Sequence, residues 1–144
     1  MTSVRLEAEL RCDALEAFDL FEAAIGDWWG EAAAAAAAGD VELEPHAGGR
    51  LVEARPPPGG DPELGRMKLW RPGSRLEAEW REPSWPEAAL TWITASFEST
   101  GSTTRIVVEH GGFEQLAEAA DSVAWRYERL WRELLDSLSP ALEG

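Results

Sequence analysis

The chain has 144 residues, enough for one domain around a single core, and its 44% hydrophobic fraction owes much to alanine but includes eight tryptophans and four phenylalanines. A formal net charge of -14 repels phosphate backbones and anionic membrane surfaces, which argues against nucleic-acid and membrane partners. Cys12 is the one cysteine, so no internal disulfide can form, and with His46 and His110 it makes no familiar metal-ligand spacing.

The opening "VRLEAELR" alternates apolar and charged residues, a half-buried strand by its period of two. Asp13 offers an N-cap with Glu16 three residues on, and Phe18, Phe21 and Ile25 follow at helical spacing to a stop at Gly26. Trp28 and Trp29 then lead into seven alanines, 32–38, which read as a short second helix packed by those rings or as a mobile lid. From Asp40 the pattern is strands between breakers: "DVELEP", "GGRLVEA", "GRMKLWR", "SRLEAEWR", "ALTWITASFE" and "TTRIVVEH". Short gaps make them an antiparallel meander, with "RPPPGGDPE" a solvated loop rather than a linker. After Phe113 the period changes: Val123, Tyr127, Leu130, Trp131, Leu134 and Leu138 share one face of a helix over about 117–139, with Trp125 nearly opposite. The N-terminus "MTSVRLEAEL" has no apolar signal core and no run reaches membrane-spanning length, so a cytoplasmic protein is expected. Arginine nearly replaces lysine and asparagine is absent, a bias that points to a GC-rich bacterial genome.

One architecture fits this order: a single α+β domain over 1–144, in which a curved antiparallel sheet of about seven strands wraps a long C-terminal helix and two short helices follow the first strand. The segments "AFDLFEAAIGDWWG", "VELEPHAGGRLVE", "GRMKLWRPGSRLEAEW", "LTWITASFESTGSTTRIVVEHGGF" and "YERLWRELLDSL" resemble, in order, signatures of the SRPBCC (START-like) superfamily. They are most similar to its branch named after the activator of the heat-shock chaperone ATPase. The resemblance implies the helix-grip fold. Members of the superfamily include carriers of hydrophobic ligands, polyketide cyclases, chaperone cofactors and proteins that protect antibiotic producers, so function must be read from the site.

A curved sheet and a straight helix leave a gap, and strand parity says what lines it. Met67 and Leu69 on the "GRMKLWR" strand are expected to face inward, as are Ala78 and Trp80 on the next. Thr91, Ile93, Ala95 and Phe97 follow on the strand after that, then Ile106, Val108 and His110. Tyr127 and Trp131 close the gap from the helix, and one ring of Trp28 or Trp29 forms a wall. Small inward residues at Ala78 and Ala95, beside large rings, suggest an internal pocket for a small hydrophobic or aromatic ligand. No Gly-rich phosphate loop, nucleophile elbow or cofactor motif appears, so no cofactor is expected. Two other functions compete with ligand binding. A cyclase- or hydrolase-like enzyme would use His110 or Tyr127 as acid or base, whereas the alternative for each is a hydrogen-bonded core residue. A protein-interaction or chaperone-cofactor role would use Trp85, Trp92 and Trp125 as an exposed contact surface, homodimerisation included.

Overall fold

The computed structural model describes residues 3–33, 41–53, 63–82, 85, 86 and 88–143. Along the chain come β1 (Ser3–Leu10), α1 (Ala14–Ala33), β2 (Val41–Leu43), β3 (Arg50–Glu53), β4 (Glu63–Arg71), β5 (Arg75–Trp80), β6 (Thr91–Ser99) and β7 (Thr104–Gly111). A short, tighter helical segment, Phe113–Ala119, leads into α2 (Ala120–Glu143). The strands form one antiparallel sheet in the order β1-β7-β6-β5-β4-β3-β2: a meander from β2 to β7, with β1 returning to pair along β7. The curved sheet grips α2, as the helix-grip resemblance implies.

Local signals explain most boundaries. The backbone N–H of Glu16 donates to Asp13 Oδ1 at 2.8 Å, so Asp13 caps α1 as its position suggests. The β4–β5 hairpin turns at Pro72-Gly73, where Gly73 has φ 78 and the Ser74 N–H donates to the Arg71 carbonyl at 2.9 Å. Gly26 does not end α1, which runs through it to Ala33; its cost inside a helix is about 1 kcal/mol, small beside the burial of Phe18, Phe21 and Ile25. The expected second helix is thus, over 31–33, the last turn of α1, and its remainder lies outside the described residues.

Phe18 meets Trp70 edge-on at 5.2 Å and Phe97 at 5.1 Å, while Phe21 stacks on Trp131 at 6.1 Å. These contacts seat α1 against both the sheet and α2. From α2 the stripe Ala124, Tyr127, Leu130, Trp131, Leu134, Leu135 and Leu138 is buried, and Trp125 on the far side is 68% exposed.

Alternation holds on β5, β6 and β7, where every residue expected to face inward is buried. It fails on β4. The register shifts between Met67 and Leu69, so Met67 pairs with inward Ala78 but Leu69 pairs with Glu77, and Trp70 pairs with inward Leu76. One extra residue at Lys68 reverses the parity beyond it. Leu69 therefore leaves the inner face, and Trp70 takes that position.

Gly65 on β4 lies so close to β5 that a Cβ there would run into the Glu79 carbonyl oxygen and come within 3.1 Å of Trp80 Cα. Neither is a side-chain tip that can swing away. Gly65→Ala is expected to cost at least about 2 kcal/mol in urea denaturation, and Asp13→Ala about 1 kcal/mol. A Gly65→Ala cost under about 0.5 kcal/mol would mean the strands separate more easily than this packing requires.

Candidate functional site

Between the sheet and α2 the apolar core contains one concentrated run of polar side chains. The Trp131 indole Nε1 donates to His110 Nδ1 at 3.1 Å, and His110 Nε2 lies 2.8 Å from Thr91 Oγ1. Thr91 Oγ1 in turn donates to the Trp80 carbonyl at 2.7 Å. From the same residue, Trp80 Nε1 donates to the Tyr127 hydroxyl at 2.7 Å, which donates to Glu82 Oε2 at 2.6 Å. Arg126 Nη2 pairs with that same carboxylate oxygen. Four elements supply the rigid partners: β5, the start of β6, the end of β7, and α2.

The geometry fixes the state of His110. An indole nitrogen can only donate, so Nδ1 must accept; the Thr91 hydrogen is already given to a carbonyl, so Nε2 must carry the proton and donate. The ring is neutral, with both nitrogens engaged. It is fully buried among Phe113 (4.6 Å), Tyr127 (4.8 Å) and Trp131 (6.2 Å), and burial pushes its pKa down to about 3. Burial, reinforced by the neighbouring Glu82 carboxylate, pushes the Tyr127 phenol well above its usual range. Neither group is a base at neutral pH, and the His110 lone pair is occupied.

The expected lining residues divide into two ring clusters. Phe97 joins Phe18 and Phe21 beside α1, whereas Tyr127, His110, Phe113 and Trp85 cluster at α2. Trp131 touches both, stacking on Phe21 and bonding His110. Met67, Trp80, Ile93, Ala95 and Val108 are each 0% exposed and Ala78 2%, so the space beside the two alanines is closed even to water along these residues. Trp28 and Trp29 fall within α1, but their side chains lie outside the described part of the structure.

Trp85 corrects an expectation: it is 9% exposed and packs edge-on to Tyr127 at 6.0 Å, so it is a wall of this site rather than a surface contact. Trp92 and Trp125 are exposed, at 43% and 68%. Glu82 and Arg126 were not legible as site residues. Glu82 stands among prolines in "EPSWPE", a stretch that reads as a loop, yet it is 2% exposed. Among the described residues no group of three or more metal-ligating side chains occurs, and His46 sits exposed in the β2–β3 connection, away from His110. No helix of the described residues is long and apolar enough to cross a membrane.

Residues 20–143 match the family model of the activator of Hsp90 ATPase homolog 1-like proteins. Among solved structures, the chain is similar to the Aha1 dimer from Colwellia psychrerythraea, at 14% identity and TM-score 0.63, covering 96% of this chain and 97% of that one. An HSP90 activator from Plasmodium falciparum aligns at 14% identity and TM-score 0.53, over 78% and 74% of the two chains. An anthrahydroquino-gamma-pyrone synthase aligns at 22% identity and TM-score 0.51, over 85% and 84%. These likenesses concern the fold. No curated protein matches the sequence.

The neutral His110 makes stability depend on pH. An unfolded histidine binds a proton near pH 6.5 whereas the buried one does so only near about 3. The unfolded state therefore holds more protons throughout that interval, and stability falls as pH drops through it, by up to about 1.4 kcal/mol per unit. His110→Gln should remove this component from the pH profile of urea denaturation. Ring nitrogen shifts of the native protein should show the Nε2–H tautomer unchanged between about pH 5 and 8; a titration there would contradict the assignment.

Proposed function

We propose that this chain, which belongs to the activator of Hsp90 ATPase homolog 1-like family within the SRPBCC superfamily, is a non-catalytic binding domain that takes a small hydrophobic or aromatic molecule between its sheet and α2. The observation that carries this reading is the continuous run of hydrogen-bonded polar side chains through the apolar core of the described residues. Ligand sites are apolar walls with a few convergent polar groups, and places where a core departs from simple packing are where function concentrates. Here the wall is aromatic, from Trp80, Trp85, Tyr127 and Trp131, and suits a flat molecule. The walls touch in this structure, so binding requires α2 or the β5–β6 connection to part from the sheet.

The same run favours binding over catalysis. A general base needs a lone pair free to take a proton near the working pH, and His110 has both nitrogens committed and a lowered pKa. A cyclase- or hydrolase-like activity would have to break the Trp131 bond first. An interaction role through Trp92 and Trp125 draws support from their exposure, and the Aha1 neighbour is described as a dimer. The two rings stand on opposite faces, Trp92 outside the sheet and Trp125 on the far side of α2, and self-association through either is compatible with an interior ligand. A cytoplasmic setting and a role in natural-product sequestration belong to this proposal.

Intrinsic tryptophan fluorescence, titrated with fatty acids, flavonoids, aromatic polyketides and enediyne-like compounds, tests it. Saturable quenching with a Kd on the order of micromolar is expected for at least one aromatic class, weakened about tenfold or more by Trp85→Phe in a protein that stays folded. A folded sample that shows no saturable change across the panel would sink the binding reading. Turnover of any panel member that His110→Gln abolishes would replace it with the enzyme.

A further inference from the structure

Two donors converge on one buried carboxylate oxygen, and a third stands behind them. The Tyr127 hydroxyl donates to Glu82 Oε2 at 2.6 Å, Arg126 Nη2 pairs with the same atom, and the Trp80 indole donates to the Tyr127 oxygen at 2.7 Å. The donors stand on β5 and α2, the packed framework. The acceptor does not: Glu82 follows β5 in the connection to β6. Bonds near it do not involve Glu82: Arg81 Nη2 donates to the carbonyls of Trp85 and Pro86, and Gln115 Nε2 to the Leu90 carbonyl at 2.6 Å.

We propose that Glu82 occupies, from within the chain, a carboxylate-binding position, and that the molecule this domain takes is an aromatic acid whose carboxylate replaces that of Glu82 on Arg126 and Tyr127. This names the ligand class of the binding reading above and rests on it. Burying a carboxylate in a chain of net charge -14 is unfavourable unless donors are arranged to receive it. The donors here are arranged for a charge: hydrogen bonds to an ionised acceptor are roughly twice as strong as neutral ones, and guanidinium is the side chain best matched to carboxylate. An approach from solvent exists, because the Arg126 side chain is 33% exposed although that of Glu82 is 3%. A surface for the apolar part of the acid exists too. Trp85 lies edge-on to Tyr127 at 6.0 Å, and the Arg126 guanidinium carbon sits 4.9 Å over the Tyr127 ring. The exchange involves no covalent step: one carboxylate leaves the guanidinium and phenol, another arrives, and the Glu82 charge moves out toward water.

Calorimetric titration with naphthoate and with naphthol, which share an aromatic body and differ in the carboxylate, tests the exchange. The unmodified chain should bind naphthoate about tenfold tighter than naphthol in spite of its own negative charge. Glu82→Ala should raise naphthoate affinity by a further tenfold or so and leave naphthol within about twofold, and adding Arg126→Gln should erase the gain. Acetate should raise the melting temperature of Glu82→Ala and not that of the unmodified chain. Equal affinities of the two probes for the unmodified chain, or an equal gain for both in Glu82→Ala, would overturn the carboxylate exchange and leave the binding reading standing. Binding of neither probe to either form, with no hit in the wider panel, would overturn both. Where Glu82→Ala does not fold, Arg126→Gln alone decides: loss of the naphthoate preference supports the exchange, and its retention overturns it.

Discussion

The tie between α2 and the sheet is made by aromatic rings that carry hydrogen-bonding atoms into a core, and each such atom must be satisfied where it lands. A buried donor or acceptor left without a partner costs about 1–3 kcal/mol, as much as a well-packed side chain gains. Trp131 brings an indole N–H from α2, so β7 meets it with His110; that histidine then needs an acceptor, and Thr91 at the start of β6 supplies one. Trp80 brings an N–H from β5, so α2 meets it with Tyr127, whose hydroxyl must donate onward and draws Glu82 into the interior. The small residues Ala78 and Ala95, on the same strands as Trp80 and Phe97, are as fully buried as the large rings, so no water-sized space remains beside them.

Strand parity was legible because β5, β6 and β7 are regular and one face of each is covered. The same rule misplaced Leu69, since a bulge at Lys68 leaves no mark in "GRMKLWR" that alternation can detect. Helix α2 announced itself through its stripe, and the exposure of Trp125 followed from the same wheel. Gly26 misled because glycine inside a helix costs only about 1 kcal/mol and ends a helix only where the backbone turns there, and α1 continues through it to Ala33.

The polar run was half legible. His110 and Tyr127 stood out as the titratable groups on inward faces, and both alternatives for each were visible in the sequence. What decided between them was invisible there: Trp80 and Tyr127 are 47 positions apart, and Tyr127 and Glu82 are 45. Glu82 and Trp85 were unreadable for a different reason. They lie in a connection rich in proline, where no periodicity assigns a face, so a buried carboxylate and a buried indole look like solvated loop residues. Long-range pairing and loop burial are tertiary properties, and a single sequence carries no local trace of them.

The two ends of the run differ in a way that bears on what the domain does. At the His110 end every partner belongs to packed structure, β6, β7 or α2: the Thr91 bond lies within the sheet, and opening the Trp131 bond means parting β7 from α2. A fully satisfied network of that kind holds a core in one arrangement. At the Glu82 end the donors are equally well anchored but the acceptor belongs to a connection, and its ionic partner Arg126 is partly in solvent. In the proposed exchange an outside carboxylate therefore meets the chain at Glu82 rather than at His110. A replacement acceptor then takes the place of Glu82, since the buried Tyr127 hydroxyl that donates to it lies in the core. In that proposal the group that opens the interior has the same chemistry as the group that closes it.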